Sequence, residues 1–207
     1  MKQPRYMMIV ALVIALSMLM AACGEDEDDN GDDNGDNGGL GESFSFTPEG
    51  NGLTISFDYP EDWFAAQAPD GSVAVANSQD ALNLVGQQAV TTDDLPENAI
   101  AIQVAALPGA GAPGEGAPGE LIGFLGEAGA GPPGFELSFG EPSEAAMSGA
   151  DDAASADVSG GLDGEIVIGQ YGENYVLVLA ISNSYGDFEG TVDEMLDTFE
   201  VEDVASE

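Results

Sequence analysis

After residue 5 the chain contains no Lys and no Arg, and it contains no His anywhere. Its two cations, Lys2 and Arg5, precede all 39 acidic residues. Nucleic-acid binding needs Lys or Arg to displace counterions from phosphates, and a nucleotide would meet an equally unfavourable field of carboxylates. The same absence removes the usual bases, Schiff-base amines and oxyanion-binding cations of nucleophilic enzymes. We therefore predict no nucleic-acid or nucleotide partner, no cofactor and no catalytic residue.

Cysteine is nearly absent as well, because Cys23 is the only one in the chain. A single thiol cannot form a disulfide within the chain, and it cannot build a metal site of four thiolates. Any function of Cys23 must come from its position.

Cys23 follows a segment that has the layout of a secretory signal, which we place at residues 1–22. A short cationic head is followed by Met7–Met20, which is apolar at every position except Ser17. The run is shorter than the roughly 20 apolar residues that a membrane-spanning helix needs. Cleavage would remove both cations and change the formal charge from −37 to −39.

The segment Leu19-Met-Ala-Ala-Cys23-Gly24 resembles the bacterial lipobox, in which small residues precede a Cys that is acylated. Met20 stands where the pattern prefers Leu, Val or Ile. The resemblance implies lipid attachment at Cys23 and several acyl chains, which hold a protein on a membrane more firmly than a single chain does. The predicted location is the bacterial cell envelope, on the outer face of the cytoplasmic membrane or at the cell surface. The alternative is an uncleaved leader with an unmodified Cys23.

Residues 23–41 are predicted to form an acidic, disordered stalk. Residues 25–39 contain no apolar side chain, so the segment has nothing to bury against the entropy of ordering its backbone. Self-repulsion between its acids would extend it. The stalk would hold the folded part away from the lipid.

Asp26, Asp28 and Asn30 fit the opening of a calcium-binding loop, in which alternate oxygen ligands are followed by Gly, here Gly31. A segment built from Asp, Asn and Gly also matches this pattern by composition, and its twelfth position is Asn37 where a Glu is expected. The two interpretations are a weak calcium site and a solvated spacer. Both allow loose binding of divalent or monovalent cations.

Residues 42–207 are predicted to form one domain that is rich in strands. Alternation of apolar and polar residues marks strands, and an unbroken apolar run marks a strand that is covered on both faces. The predicted strands are 53–59, 73–76, 100–104, 135–139, 145–147, 153–158 and a hairpin of 165–170 with 175–182. Val176–Ile181, apolar throughout, is predicted to be central.

Three short helices and one long loop complete the predicted domain. Ser78 is expected to cap the first helix, and the second covers residues 121–125. In the closing helix, Thr191 and Glu194 are spaced as a capping box, and Val201 lies in a terminal strand. Residues 108–120 are predicted to be a Gly/Pro-rich surface loop.

Many antiparallel strands with a few helices predict an α+β fold. The segment Ile55-Ser-Phe-Asp-Tyr-Pro-Glu-Asp-Trp63, followed by Val73–Asn77 and by the closing hairpin and helix, resembles the PsbP/Mog1-type domain of bacterial lipoproteins. This resemblance spans residues 44–202 and implies an antiparallel β-sheet sandwiched by helices. It implies no catalytic residue. Trp63 is predicted to pack in the core rather than to serve as a ligand platform.

The leading functional hypothesis is a non-enzymatic binding or accessory module, anchored to the membrane by its lipid. A basic protein or a cation-bridged envelope polymer would fit its acidic surface, although the acidity also suits solubility in salty surroundings. Paired carboxylates alone can cleave glycosidic bonds, so a carboxylate-dependent glycan hydrolase of the envelope stays open. A calcium-dependent adhesion module is the third hypothesis.

Overall fold

The computed structural model describes residues 39–48, 52–68, 71–85, 95–107, 116–129 and 137–203. In these residues no helix is long and apolar enough to cross a membrane. The elements, in chain order, are β1 Leu40–Phe46, β2 Leu53–Pro60, β3 Phe64–Gln67, β4 Val73–Ala76, α1 Gln79–Val85, β5 Ile100–Leu107, α2 Pro118–Ala128, β6 Ser138–Phe139, β7 Ser143–Glu144, β8 Asp152–Ser159, β9 Asp163–Tyr171, β10 Asn174–Ser182, α3 Glu189–Leu196 and β11 Glu200–Asp203. A single turn of 3-10 helix, Tyr185–Asp187, precedes α3.

Eight of the described strands form one large antiparallel sheet. Its order is β3-β4-β5-β10-β9-β8-β6, and β7 also pairs with β8. The hairpin of β9 and β10 lies at its centre and turns at Gly172 and Glu173, where Gly172 has a φ of 60°. Glycine adopts this left-handed conformation without the steric cost that a Cβ brings. The predicted hairpin is therefore confirmed.

The central position of β10 explains why Val176–Ile181 is apolar at every residue. The strand lies between β5 and β9, so its side chains alternate between two buried faces. Val176, Val178 and Ala180 enter one core, whereas Leu179 and Ile181 enter the other. The prediction of a strand covered on both faces is confirmed.

Helices α1 and α2 cover one face of the large sheet. Leu121 and Ile122 of α2 are buried against Ile166 and Ile168 of β9. The opposite face is covered by α3 together with a small antiparallel sheet of order β1-β2-β11.

The small sheet and α3 share one apolar core with the large sheet. Ile55 and Phe57 of β2 point inward, and the rings of Phe57 and Phe199 stack with centroids 5.1 Å apart. The outward positions of β1 and β2 are polar, and Ser56 Oγ donates a hydrogen bond to Ser45 Oγ at 3.0 Å. The small sheet thus has one dry face and one wet face, as its alternating sequence predicts.

The α+β class predicted from the sequence is confirmed, and an antiparallel sheet lies between two covering layers. One layer is helical, whereas the other combines α3 with the small sheet. Several predicted elements also appear where the pattern placed them, among them β2, β4 and β5. Ser78 caps α1, because its Oγ accepts a hydrogen bond from the Ala81 backbone N–H at 3.2 Å.

Other predicted boundaries need correction. The first strand begins at Leu40, so it includes the last two residues of the predicted stalk, Leu40 and Gly41. Helix α2 begins at Pro118 within the predicted loop, because Pro is tolerated in the first turn of a helix. The remainder of that loop, residues 108–115, lies outside the described residues.

The structure also corrects two predictions in the second half of the domain. Residues 145–147 are not a strand; in this part of the chain the short strand Ser143–Glu144 pairs with β8 instead. Thr191 and Glu194 do not form a capping box, because α3 begins earlier and its N-cap residue is Phe188, which makes no side-chain capping hydrogen bond. Of the predicted strand 135–139, only Ser138–Phe139 is a strand, and residues 135 and 136 lie outside the described residues.

Candidate functional site

The site residues predicted from the sequence all precede the described part of the chain. Cys23, the predicted lipid-attachment residue, and Asp26, Asp28 and Asn30, the predicted calcium ligands, lie outside the described residues. They remain predictions. Among the residues that the structure describes, no group of three or more Cys, Asp or Glu side chains is arranged to hold a metal ion.

The described part of the chain contains two clefts whose charged lining residues are all acids. We name the first the acidic cleft; its volume is about 380 Å³. Its lining residues come from β8, β9, α3 and the adjoining segments, and they are Ala145, Ala146, Ser155, Glu165, Val167, Asp193, Leu196 and Asp197.

Regular secondary structure brings the acidic-cleft residues together. Glu165 and Val167 are two positions apart on β9, so they project from the same face of the sheet. Asp193 lies in α3, and Asp197 is the C-cap residue directly after its last residue. The two are four positions apart, so they share one side of the helix. Like charges at this spacing destabilise a helix by roughly 0.2–0.5 kcal/mol. The chain has no cation in its folded part to offset this repulsion.

Glu165 is held in place by a tyrosine. The Tyr185 hydroxyl donates a hydrogen bond to Glu165 Oε2 at 3.0 Å. Burial raises the pKa of Tyr185 well above its usual value of 10, and the negative charge of Glu165, the hydrogen bond to it, and the charges of Asp193 and Glu189 raise it further. The phenol therefore keeps its proton at neutral pH and acts as a permanent donor to the carboxylate.

The floor of the acidic cleft is apolar. Val167 and Leu196 are buried residues of the core between the large sheet and α3, and Ala145 packs against the same core. Ser155, which is 8% exposed, adds a hydroxyl to the lining. An apolar floor with a carboxylate rim can accept the methylene stem and charged end of a Lys or Arg side chain.

The second cleft lies between the small and large sheets at one end of the molecule, and we name it the inter-sheet cleft. Its volume is about 450 Å³, and it is lined by Leu53, Gly149, Asp151, Tyr171, Gly172, Glu173, Asn174 and Val201. One of its two acids is already engaged, since Asp151 Oδ2 accepts a hydrogen bond from the Gly172 backbone N–H at 2.9 Å. Tyr171 donates to the Ser148 carbonyl oxygen at 2.7 Å, and burial raises the pKa of its phenol. The acidic cleft therefore offers more free carboxylates.

The burial of the acidic side chains bears on the glycan hydrolase hypothesis. A carboxylic acid that protonates a leaving group at neutral pH normally lies in an apolar pocket that raises its pKa. In the described part of the chain, the buried polar side chains are Ser72, Ser155 and Ser182, and no Asp or Glu is buried.

Trp63 packs against the core, as the sequence predicted, and its ring meets that of Phe188 edge-on with centroids 6.2 Å apart. Its neighbour Phe64 is 41% exposed and is the one large apolar side chain in the described residues that is exposed. We refer to Trp63, Phe64 and Phe188 as the aromatic corner.

The sequence did not identify the acids of the acidic cleft. Glu165 and Asp193 are 28 positions apart in a chain with 39 acids, so no local pattern marks them. The one usable signal is that Asp193 and Asp197 flank the apolar positions Met195 and Leu196 of α3.

No family model and no curated protein matches this chain. Similar solved structures include the PsbP protein of the cyanobacterium Synechocystis, at 12% identity over 81% of this chain and 98% of that chain, with a TM-score of 0.44. LpqN, described as involved in cell envelope biogenesis of Mycobacterium tuberculosis, is 13% identical over 77% of this chain and 90% of that chain, also with a TM-score of 0.44.

A third similar structure comes from Bacteroides thetaiotaomicron, at 13% identity with a TM-score of 0.38. The similarity covers 80% of this chain and 49% of that one.

Proposed function

We propose that this protein is an extracytoplasmic lipoprotein, attached to a membrane through Cys23, whose folded part is a non-enzymatic module that binds a basic partner in the acidic cleft. The observation that carries the proposal is the composition of that cleft. Glu165, Asp193 and Asp197 line one cavity, and no Lys, Arg or His exists in the folded part to pair with them.

The fixed position of Glu165 supports recognition rather than mere solubility. A carboxylate that serves only to keep a surface hydrated needs no partner, whereas Glu165 is oriented by the Tyr185 hydroxyl. A carboxylate that is already oriented loses less conformational entropy when it binds a cation. The apolar floor adds contact area for the aliphatic part of a Lys or Arg side chain.

Charge would also govern how quickly a partner arrives. The summed field of a surface with one sign of charge raises the association rate of an oppositely charged partner, and this increase falls as salt is added. A basic segment of an envelope protein matches these requirements. An envelope polymer bridged by divalent cations is the competing partner, and the experiment below separates the two.

The test is calorimetric titration of the chain with a synthetic Lys-rich peptide and with a Glu-rich peptide of equal length, at low and at physiological salt. We expect the Lys-rich peptide alone to bind. The double variant Glu165→Gln, Asp193→Asn should weaken binding about tenfold, since each exposed ion pair contributes up to about 1 kcal/mol.

The matched control is Glu127→Gln with Glu141→Gln, which removes the same charge from exposed acids outside both clefts. Binding by the control should be nearly unchanged. Equal losses in the two double variants would mean that the peptide senses only the overall charge, and the cleft would not be the site. Binding of a phosphate-bearing wall polymer that appears only with added calcium would favour the cation-bridged partner.

A further inference from the structure

The chain enters the fold at an identifiable end of the molecule. Leu40, the first residue of β1, pairs with Pro60, the last residue of β2. Leu53 begins β2 at the opposite end, about 25 Å away for an eight-residue strand. Any tether that precedes Leu40 therefore leaves the domain beside Pro60 and not beside the inter-sheet cleft, which Leu53 lines.

The aromatic corner lies at this same end. The Trp63 backbone N–H donates a hydrogen bond to the Pro60 carbonyl oxygen at 3.0 Å, which closes a tight turn between β2 and β3. Phe64 is the next residue, and it is 41% exposed. The one exposed large apolar residue in the described part of the chain is thus close to the point where the tether would leave.

We propose that the aromatic corner docks on the surface of the lipid bilayer to which the chain is attached. This inference rests on the proposed lipid attachment at Cys23. The 17 residue steps from Cys23 to Leu40 reach at most about 60 Å, and an unfolded chain of that length spans roughly 25 Å on average. The tether thus keeps the aromatic corner within reach of the bilayer. It does not fix the orientation of the domain, which depends on the surface that the domain presents to the lipid.

The chemistry of the corner fits the boundary between lipid headgroups and acyl chains. Trp and Phe rings are favoured there, since each has a large apolar surface and Trp also has an N–H for the polar side. Glu61 and Asp62, both exposed, lie directly before Trp63. Their charges limit the depth of insertion and disfavour an anionic surface.

Docking would also orient the rest of the molecule. The inter-sheet cleft, which includes Leu53 and Val201, lies at the other end of the small sheet and would face away from the bilayer. It would then be open to the surrounding envelope.

The chain provides its own probe and its own attachment point, because Trp63 is its only Trp and Cys23 is its only Cys. Residues 23–207 would be coupled through Cys23 to a maleimide-bearing lipid in phosphatidylcholine vesicles that also contain lipid with a nitroxide just below the headgroup. We expect about twofold quenching of Trp63 emission in the coupled protein relative to uncoupled protein mixed with the same vesicles. Equal emission in the two samples would overturn the proposal.

Phe64→Ser should remove most of the quenching, whereas Gln67→Ser, an exposed change at the other end of the same strand, should not. Circular dichroism would verify that both variants are folded.

Replacing phosphatidylcholine by phosphatidylglycerol should reduce the quenching, and magnesium should restore it by neutralising the carboxylates and the lipid. Quenching that disappears when the coupled protein is diluted on the vesicle would instead indicate pairing with a second copy.

The coupling is chemical, so its outcome is independent of acylation in the cell. If the native protein carries no lipid but the coupled protein is quenched on vesicles, the proposed function is contradicted and the docking surface is not. Native lipoprotein without quenching would contradict the docking surface alone.

Discussion

At the scale of the residue, the hydrogen bond from Tyr185 to Glu165 links the titration of one phenol to the shape of the acidic cleft. Both groups belong to elements that pack on the core of the domain, β9 and the 3-10 turn before α3. After residue 22 the chain has no His and no Lys, so Cys23 and the tyrosines are the only side chains there with reference pKa values between about 6 and 11.

The first prediction concerns the stability of the protein in alkali. The pKa of Tyr185 is raised in the folded state, so between its unfolded value near 10 and its folded value only the unfolded state loses the proton. The stabilising contribution is complete below about pH 10 and is lost as the pH rises further. The melting temperature should therefore be flat from pH 7 to 9 and should fall above pH 10.

Tyr185→Phe removes this titration and should make the alkaline decline shallower. The variant should also be less stable than the parent at pH 7, by about 1 kcal/mol for the lost hydrogen bond, and this pH-independent loss serves as the baseline. Thermal melts of both proteins from pH 7 to 11 provide the comparison. Parallel curves over the whole range would show that the phenol does not carry the effect.

At the scale of the element, two glycines in regular structure have opposite roles. Gly164 lies in β9, where an added Cβ would overlap with the Ala180 backbone oxygen of β10. Gly123 lies in α2, where an added Cβ would meet no atom within 4 Å.

The second prediction follows from this contrast. Gly164→Ala should destabilise the protein by about 1–3 kcal/mol, because the two central strands must separate to admit the methyl group. Gly123→Ala should stabilise it by about 0.5–1 kcal/mol, because Ala loses less conformational entropy than Gly in a helix. Urea unfolding of the two variants measures both effects. A similar loss of stability in both would contradict the close contact between β9 and β10.

Elements with strong periodicity could be predicted from the sequence. The alternation from Leu53 to Tyr59 and the apolar run Val176–Ile181 each determined a strand and its burial. The Gly/Pro composition of residues 108–120 predicts a loop, but Pro118 begins α2, because Pro is tolerated in the first turn of a helix. The weak strand β3, Phe64–Gln67, has four residues and little pattern, and only its pairing with β4 identifies it.

The acidic cleft could not be predicted, because it depends on packing rather than on local pattern. Glu165 meets the acids of α3 only after the large sheet and that helix have packed on the same core. The capping box failed for a related reason. The 3-10 turn Tyr185–Asp187 leads directly into the helix at Glu189, which places Thr191 inside the first turn.

At the scale of the whole molecule, one sign of charge covers the exterior. The chain after residue 22 carries only acids, so every long-range interaction between its charged side chains is repulsive. Such repulsion is screened over about 10 Å at 0.1 M salt and over about 3 Å at 1 M.

The third prediction is that the melting temperature at pH 7 rises when NaCl is increased from about 20 mM to about 1 M, since the folded state gains more from screening than the expanded unfolded state. The rise should be much smaller near pH 4, where many carboxylates are protonated. A melting temperature that does not change with NaCl at pH 7 would show that self-repulsion does not lower the stability of the folded state. An equal rise at both pH values would mean that salt raises the melting temperature by strengthening the burial of apolar surface, and not by screening charges.

The proposed lipid attachment would connect all three scales, because it would make Cys23 the first residue, residues 24–39 a tether and the folded part a module held near a bilayer. The most direct test is mass spectrometry of the N-terminal peptide of protein purified from the membranes of its own cells. We predict a peptide that begins at Cys23 and carries the added mass of acyl chains. A peptide that retains any of residues 1–22, or one that begins with an unmodified Cys23, would contradict the account.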